Sequence, residues 1–552
     1  MRRKDLAIAG AVIVLSLSTV MCTCSSNGTS SPPRNASVVD VVANTGVAPW
    51  MEQAVEQFNK AKIETADRSP VFVRLRLAES GQAVTDMAQG GMPPALWIPD
   101  DLVWANLLAD REIDGFQGDC VSVAESPLVI AMWRPVAESL GWPGRSLGWL
   151  DVGSLAADPS AWAYYSGGQF GDTLRLGHTH PGISSTGSST LLAIVQAAES
   201  KEEAVNVDDI QRPIVQASVS AFEAAVSWFS SSTDQLGQVM SERGVEFLGA
   251  AVMYESTVIS YGGGDPAIVP IYPFEGTFVA THPACINSAM DAEAQEAARI
   301  FRDYLLGEEG QLLAVANGLR PVNDAVPVGA PLDKERGVDL GQPEIVFGSP
   351  TVDTVYAVQE LWQEARKDVN LVMLLDTSGS MGGNKIENAR SAAIQFVGQM
   401  GDDDYITIIA FSDNPVTVIY HQQVGPSRDE ITQMIAALEA DGNTTLYDAI
   451  GDGAAIIAET GSSQMTNAMV VLSDGMDTRS SRYGFNQALF DTAAANDTTV
   501  FTIAYGNDAD EKLLSELALE ANGNFYQGDE ASIVAIYEEM SAAFGGSAGI
   551  GR

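Results

Sequence analysis

The sequence predicts an α/β protein with two domains, each built on a largely parallel sheet. Unbroken apolar runs such as Leu371 to Leu375 are typical of strands that are buried on both faces. The segment after this run carries Ile386, Ala389 and Phe396 at the spacing of one helix face. Strands that alternate with helices in this way form parallel sheets covered by helices.

The first domain begins with the same alternation. Val39 to Val42 is predicted to be a short strand, and the apolar residues after it recur at helical spacing. Phe72 to Leu77 alternates between apolar and polar residues, which indicates a half-buried strand. It ends shortly before Ser80 and Gly81, where we expect another helix to begin.

A long connection separates the two domains. Asn323 to Pro350 is rich in Pro and Gly and predicts an irregular segment. Val352 to Arg366 then predicts a helix that packs on the first domain through Val355, Val358 and Trp362. In the second domain, further strands are predicted at Tyr405 to Phe411, Val416 to Tyr420 and Thr499 to Tyr505.

Size and charge limit the classes of function. A chain of 552 residues exceeds one typical domain, and 46% hydrophobic residues can fill large cores. The chain has 72 acidic against 30 basic residues, which gives a net charge of -42. Nucleic acids and anionic lipid surfaces are bound through Lys and Arg. The composition therefore argues against both as partners.

The N-terminus has the pattern of an export signal. Three basic residues precede an apolar run from Leu6 to Met21, and Cys22 and Cys24 follow it. Residues 1–24 resemble a bacterial lipoprotein leader, which implies lipidation at Cys22 or Cys24; an uncleaved anchor is the alternative. Residues 25–36 form a Ser- and Pro-rich tether. We expect an extracytoplasmic, membrane-anchored protein in the periplasm or at the cell surface.

Polar residues follow three segments of the second domain where strands end or helices begin. Asp376, Ser378 and Ser380 directly follow the apolar run, Thr444 precedes a helix, and Asp474 ends another strand-like run. The C-terminal ends of parallel strands share one edge of a sheet, where ligands bind. Carboxylate and hydroxyl oxygens suit Mg²⁺ foremost, or Mn²⁺ or Ca²⁺. The alternative is a purely structural role, in which these residues only cap helices and turns.

Those five residues resemble the metal-ion-dependent adhesion site of the von Willebrand factor type A domain. The resemblance covers about Asp368 to Phe544 and implies a Rossmann-like, doubly wound fold. It also implies a cation whose open position is filled by a carboxylate from a protein partner. No general base, nucleophile or redox group accompanies the motif, since His421 is the only His of this domain and Cys is lacking. We therefore expect no enzyme.

The first domain resembles a type 2 extracellular solute-binding protein. Segments such as MPPALWIPDDLVWANLL and GEEGQLLAVANGLRPVN carry the resemblance. It implies two α/β lobes that close on a solute, with crossings at Ser126 to Trp133 and Ile268 to Phe278. One lobe would combine Ser37 to about Val123 with about Pro273 to Asn323.

Small polar residues at strand ends are the candidates for binding a small-molecule or oxyanion solute: Thr45, Ser80, Ser185, Thr186 and Glu255. Each could equally serve as a cap or turn residue. His178 and His180 are expected in a loop rather than on a metal, because no third ligand accompanies them. Cys120 and Cys285 either form a disulfide or are two buried thiols.

These observations divide the chain into a solute-binding-like domain at residues 37–367, a type A domain at 368–545 and a tail at 546–552. The preferred hypothesis is a non-enzymatic surface protein that binds a protein partner through its metal. The alternative is the substrate-binding receptor of an ABC transporter, with the type A domain as an accessory. Closure of the two lobes on a solute could alter the metal-binding face of the second domain, because the domains are close in sequence.

Overall fold

The computed structural model describes residues 32–484 and 498–545. The predicted leader with Cys22 and Cys24, most of the tether and the tail at 546–552 lie outside the described residues. Within the described part, both predicted domains belong to one compact unit.

The first lobe is a five-stranded mixed sheet with the order β2-β1-β3-β11-β4. Its first three strands are parallel, and β11 runs antiparallel to its neighbours. The elements are β1 (Ser37–Ala43), α1 (Ala48–Ala61), β2 (Val71–Leu77), α2 (Ser80–Ala88), β3 (Leu96–Ile98), α3 (Leu102–Asp110), β4 (Asp119–Ser122), and, after the second lobe, β11 (Pro283–Ile286), α12 (Ala292–Leu306) and α13 (Glu308–Ala316).

The second lobe has a six-stranded sheet with the order β10-β5-β8-β6-β7, and β9 also pairs with β5. Its elements are β5 (Ser126–Trp133), α4 (Arg134–Ser139), α5 (Trp149–Ala157), α6 (Pro159–Ser166), β6 (Leu176–Thr179), α7 (Ser185–Glu199), α8 (Val207–Ile210), α9 (Pro213–Glu223), β7 (Val226–Ser230), α10 (Thr233–Arg243), β8 (Ala250–Tyr254), α11 (Glu255–Tyr261), β9 (Ile268–Ile271) and β10 (Val279–Ala280).

The two crossings differ in regularity. The first predicted crossing is one fully buried strand, β5. The second, Ile268 to Phe278, contains β9 and then an irregular stretch that leads to β10. Pro273 lacks the N–H that a ladder needs, and Gly276 has a φ of 116°, which an extended strand does not allow. These two residues explain why a single strand does not form.

The connection between the domains is irregular, as its composition predicts, apart from a short 3₁₀ turn at Lys334–Arg336. It leads into α14 (Val352–Ala365), whose N-cap Thr351 accepts a hydrogen bond from the Thr354 N–H at 3.3 Å. One end of α14 packs in the core of the first lobe through Val355. The other end packs in the core of the second lobe through Trp362. The helix thus spans both lobes.

The second domain is a six-stranded sheet with the order β14-β13-β12-β15-β16-β17, in which only β14 is antiparallel. The elements are β12 (Val369–Asp376), α15 (Asn384–Gln399), β13 (Tyr405–Phe411), β14 (Pro415–Gln423), α16 (Val424–Ala436), α17 (Leu446–Thr460), β15 (Thr466–Ser473), β16 (Thr499–Tyr505), α18 (Glu511–Glu520), β17 (Phe525–Gly528) and α19 (Ile533–Ala543).

The central strand shows why the sheet is covered on both faces. Leu371, Met373 and Leu375 of β12 pack in one core, whereas Val372 and Leu374 pack in another. Successive side chains of a strand point to opposite faces, so an unbroken apolar run needs helices on both sides. The predicted α/β, doubly wound fold class is confirmed.

The second lobe and the second domain share one continuous core. Trp228 of β7 stacks on Phe501 of β16 with ring centroids 5.7 Å apart. At the edge of this contact, the Arg243 guanidinium donates to the Gly523 carbonyl at 2.6 Å. The Gln235 amide also donates to the Glu539 carboxylate. The second lobe is therefore the part of the first domain that packs directly on the second domain.

Candidate metal site and solute cleft

Two predicted metal residues meet because two neighbouring parallel strands end together. Asp376 is the last residue of β12, and Asp474 directly follows β15. Asp376 is fully buried, and its carboxylate accepts hydrogen bonds from the Ser378 N–H at 2.8 Å and the Ser473 hydroxyl at 2.6 Å. Burial raises the pKa of the Asp376 carboxyl. A cation beside it would stabilise the charged form.

The two Ser hydroxyls link the first loop to Asp474. Ser378 Oγ lies 3.0 Å from Ser380 Oγ, and the Ser380 hydroxyl donates to Asp474 Oδ1 at 2.7 Å. Ser378 and Asp474 are buried, whereas Ser380 is exposed. The group of side chains therefore reaches the surface at Ser380.

Thr444 is held beside these residues by a second loop. Its N–H donates to the Thr478 hydroxyl at 3.0 Å, and the Thr478 N–H donates to the Thr444 carbonyl at 3.0 Å. A Cβ atom placed on Gly475 would lie 3.8 Å from Thr444 Oγ1 and 3.9 Å from Ser380 Oγ. The hydroxyls of Thr444 and Ser380 therefore border the same space, next to Asp474.

The side chains fit a hard divalent cation. All five predicted residues come together from three loops, and they offer two carboxylates, three hydroxyls and no nitrogen or sulfur. Mg²⁺ prefers such oxygen donors. Across the described ranges, no three or more His, Cys, Asp or Glu residues form a metal-ligating group.

Sequence reasoning missed two residues of this site. Lys385, in the first turn of α15, places its ammonium 2.6 Å from Asp474 Oδ2. Ser473 donates to Asp376, as described above. A signal was available for Lys385, since it is the only basic residue between Asp376 and Ala389. Its ion pair offsets part of the negative charge that a cation would meet.

A cavity of about 280 Å³ lies between the two lobes and below the connection to α14. Of the five predicted solute residues, only Ser185 borders it. The other polar and aromatic residues that matter for its chemistry are Asp100, Asp101, Trp104, Glu125, Ser188, Tyr254, Phe278 and Phe347. Sequence reasoning did not identify the acidic residues, because each reads as a turn or cap residue.

Thr45 and Ser80 bind carboxylates of this chain. The Thr45 hydroxyl donates to Glu79, and the Ser80 hydroxyl donates to Asp100. Glu79 also accepts a hydrogen bond at 3.0 Å from the N–H of Thr233, the first residue of α10 in the second lobe. Glu79 thus joins the lobes directly.

Burial shifts the pKa values of Glu79 and Asp100, the two acids at this junction. It raises the pKa of Glu79 to about 7, and the nearby charge of Asp100 contributes to the rise. Burial likewise raises the pKa of Asp100 to about 6. Both carboxyls are more easily protonated than free side chains because their charge is poorly solvated.

The remaining predicted solute residues lie in the protein interior. The Thr186 hydroxyl lies 2.6 Å from that of Thr179 and 2.9 Å from that of Thr233. Glu255 is fully buried, pairs with Arg320 at 2.6 Å and accepts a hydrogen bond from Tyr272. Neither Thr186 nor Glu255 borders the cavity.

Both His residues of the GHTHP segment are part of the core. His178 lies 3.0 Å from a Glu223 carboxylate oxygen and 2.7 Å from the Thr179 carbonyl. His180 packs edge-on against Trp362 with ring centroids 4.6 Å apart. The surroundings of these two residues are those of structural side chains.

Cys120 and Cys285 form a disulfide in the structure. They face each other in the register of β4 and β11, two antiparallel neighbours of the first lobe. The bond links positions separated by 165 residues, with the whole second lobe between them. The disulfide therefore joins the two chain segments that build the first lobe.

The fold and the cleft define a two-lobed binding protein with an additional doubly wound domain. Residues 39–320 match the family described as bacterial extracellular solute-binding protein, and residues 370–539 match the von Willebrand factor type A domain. Since the first match covers more than half of the chain, the protein belongs to the bacterial extracellular solute-binding protein family. The type A domain follows the solute-binding domain.

Two relatives are similar to this protein over part of the chain. The protein named "Uncharacterized protein sll0103" of Synechocystis sp. is 29% identical over 164 residues, 29% of this chain and 38% of that protein. Inter-alpha-trypsin inhibitor heavy chain H3 of Mus musculus is 26% identical over 185 residues, 31% of this chain and 21% of that protein. The chain therefore spans less than half the length of either relative.

Among solved structures, the sulfate-binding protein SubI of Mycobacterium tuberculosis H37Rv is 17% identical. The match covers 58% of this chain and 95% of that one, with a TM-score of 0.41.

Family membership points to a location outside the cytoplasm. Within residues 32–484 and 498–545, none of the helices has the length and apolar content needed to cross a bilayer.

Proposed function

We propose that this protein is an exported, surface-attached binding protein that holds a protein partner through a divalent cation. Asp376, Ser378, Ser380, Thr444 and Asp474 would hold the cation, most favourably Mg²⁺. The observation that supports this proposal best is the convergence of these oxygen donors from three loops, one of which reaches the surface at Ser380. Binding rather than catalysis is the proposed activity.

The neutral ligands explain why a partner would be attracted. Hydroxyls leave most of the positive charge of a bound cation uncompensated, and Lys385 partly neutralises Asp474. Such a cation supplies a Lewis-acidic position for a carboxylate from outside. Met476 is 61% exposed two residues after Asp474 and offers an apolar contact beside that position.

The test is a pull-down of surface proteins with the purified chain, in Mg²⁺ and in chelator. We expect one or more partners that are retained in Mg²⁺ and released by chelator. Asp376→Ala should lose them, whereas Asp429→Ala, which removes an exposed acid on α16, should retain them. Capture that is equal in chelator and for Asp376→Ala would refute the metal bridge.

The first domain would bind a small solute in the interlobe cavity. A second candidate function, the substrate receptor of an ABC transporter, is favoured by the solute-binding family match over half of the chain. Solute uptake that is lost when this chain is deleted and survives Asp376→Ala would support the transport receptor. Uptake that is unchanged when the chain is deleted, together with partner binding that is lost in Asp376→Ala, would support the surface-adhesion function instead.

A further inference from the structure

The wall of the interlobe cavity is negatively charged. Asp100, Asp101 and Glu125 border it, and no Lys or Arg does among the described residues. Arg320 pairs through its backbone with Glu125, but its guanidinium lies 2.6 and 2.8 Å from the Glu255 carboxylate. Its charge is therefore already matched. An anionic solute would meet like charges in a poorly solvated space, whereas a cation would be attracted.

Aromatic rings form another part of the wall. Trp104, Phe278 and Phe347 border the cavity, and the two Phe rings pack edge-on with centroids 5.4 Å apart. The faces of aromatic rings attract ammonium groups, and the attraction strengthens where water is excluded. Acidic groups and aromatic rings together are suited to a small organic cation.

Trp104 adds a second requirement. Its side chain is fully buried, and its Nε1–H has no hydrogen-bond partner among the described residues. A buried donor without an acceptor costs about 1–3 kcal/mol. The indole forms part of the cavity wall and its N–H is closed to solvent, so an oxygen acceptor on a bound solute would satisfy it once the atoms that cover it move aside. The unpaired N–H therefore favours a solute that carries an acceptor as well as a positive charge.

The groups that would otherwise hold an oxyanion are already used. The Thr45 hydroxyl and the Thr233 N–H, at the start of α10, both donate to Glu79. The Ser80 hydroxyl donates to Asp100. A carboxylate of the protein thus occupies the junction where donors from the two lobes meet. This arrangement argues against the oxyanion solute that the sequence suggested.

We propose that the cavity binds a small organic cation with at least one oxygen acceptor, such as an ammonium-bearing alcohol or amino acid. This inference rests on the proposed solute-binding function and adds the chemical class of the solute. A cavity of about 280 Å³ lies just below the roughly 300–1,000 Å³ of small-molecule pockets, so the solute is small. Burial raises the pKa of Asp100, and a bound cation would offset that cost.

The test is calorimetric titration of the full chain with matched probes. Choline, ethanolamine and lysine supply the cation, 3,3-dimethyl-1-butanol is the neutral isostere of choline, and sulfate is the anion. We expect at least one cation to bind and sulfate to give no heat. Choline should bind at least about tenfold more tightly than its neutral isostere, by cation–π attraction and charge.

The outcomes separate the two proposals. Equal or tighter binding of sulfate or of the neutral alcohol would overturn the cation class and leave solute binding intact. The absence of heat with every probe would count against solute binding itself, and with it against the cation class.

Variants of the wall test whether the binding occurs in this cavity. Asp101→Asn removes a charge but keeps a residue that can cap α3, and Glu125→Gln is isosteric. Each should weaken binding of the cation about tenfold and leave the neutral isostere unaffected. Trp104→Phe should weaken choline more than tetramethylammonium, which lacks the oxygen. Asp114→Asn, on an exposed side chain, is the control. Unchanged cation binding in all three wall variants would overturn the assignment to this cavity.

Discussion

At the scale of single residues, the two carboxylate oxygens of Asp474 have different partners. Its Oδ1 accepts from Ser380 at 2.7 Å and its Oδ2 lies 2.6 Å from the Lys385 ammonium. The ammonium stabilises Asp474 in the absence of a cation and repels a cation that approaches. Lys385 would therefore weaken binding of the proposed cation while it stabilises the folded loop.

Replacement of Lys385 tests this balance. Lys385→Met should strengthen Mg²⁺ binding by roughly 1 kcal/mol, about fivefold, because a like charge is removed. Lys385→Arg retains the charge and should bind Mg²⁺ like the original protein. Calorimetric titration measures both. An unchanged or weaker affinity in Lys385→Met would show that the ammonium does not oppose the cation.

The acid at the lobe junction predicts a pH dependence. Glu79 has a pKa of about 7 in the folded chain against an ordinary value of 4.5, and Asp100, Thr45, Ser184 and Thr233 surround it. Between these pH values the folded state binds more protons than the unfolded state, so this group makes stability fall as pH rises. Glu79→Gln removes the titration.

The melting temperature should therefore fall more for the original protein than for Glu79→Gln between about pH 5 and about pH 8. Because groups remote from this junction titrate in both proteins alike, the difference between them isolates Glu79 together with Asp100, whose charge acts on it. Parallel pH profiles would contradict the raised pKa.

The sequence could predict the residues that a loop motif places together. Asp376, Ser378 and Ser380 are close in sequence, and the ends of parallel strands bring Asp474 beside them. The interlobe cavity could not be predicted in the same way. Asp100 and Ser185 belong to different lobes, and only the packing of those lobes decides which strand-end residues border the cavity and which, like Glu255, become buried ion pairs.

At the scale of elements, the disulfide holds two strands that are distant in sequence. Cys120 in β4 and Cys285 in β11 are paired across an antiparallel ladder. A cross-link over a long loop restricts the unfolded chain more than one over a short loop. The disulfide should therefore contribute to the stability of the first lobe.

Cys120→Ser together with Cys285→Ser should lower the free energy of unfolding of this lobe by about 2–4 kcal/mol. Urea unfolding under non-reducing conditions measures the change, and the original protein in reductant should show the same loss. Equal stability with and without the bond would contradict a stabilising role.

The sequence predicts the limits of a strand accurately where an apolar run is bounded by turns. Tyr405–Phe411 and Thr499–Tyr505 form strands with the predicted limits because both are apolar runs between turns. The edge strand extends to Pro415–Gln423, beyond the predicted Val416 to Tyr420. Its polar end residues carry no hydrophobic signal, and their pairing with β13 extends the strand.

At the scale of the whole molecule, the second lobe and the type A domain act as one packed body. Trp228 is almost fully buried and stacks on Phe501 within their common core. Helix α14 contacts both lobes and is followed within a few residues by β12, which ends at Asp376. Sequence proximity predicted that the domains would be neighbours, but not which lobe would make the contact.

Trp228→Ala should destabilise this shared core by about 3–5 kcal/mol. We expect faster amide hydrogen exchange in Thr499–Tyr505 of the type A domain, although the substituted residue lies in the other domain. Phe58→Ala, in the separate core of the first lobe, should leave exchange in that strand unchanged. Equal exchange in both variants would indicate that the two domains are energetically independent.

The proposed function depends on five residues of the type A domain that would hold a divalent cation. Calorimetric titration of the purified chain with Mg²⁺ measures this binding. We expect one bound Mg²⁺ per chain, lost when Ser378→Ala and Ser380→Ala are combined and retained in Ser391→Ala, which removes an exposed hydroxyl of α15. No binding by the original protein, or equal binding by the double variant, would show that these residues do not hold the cation.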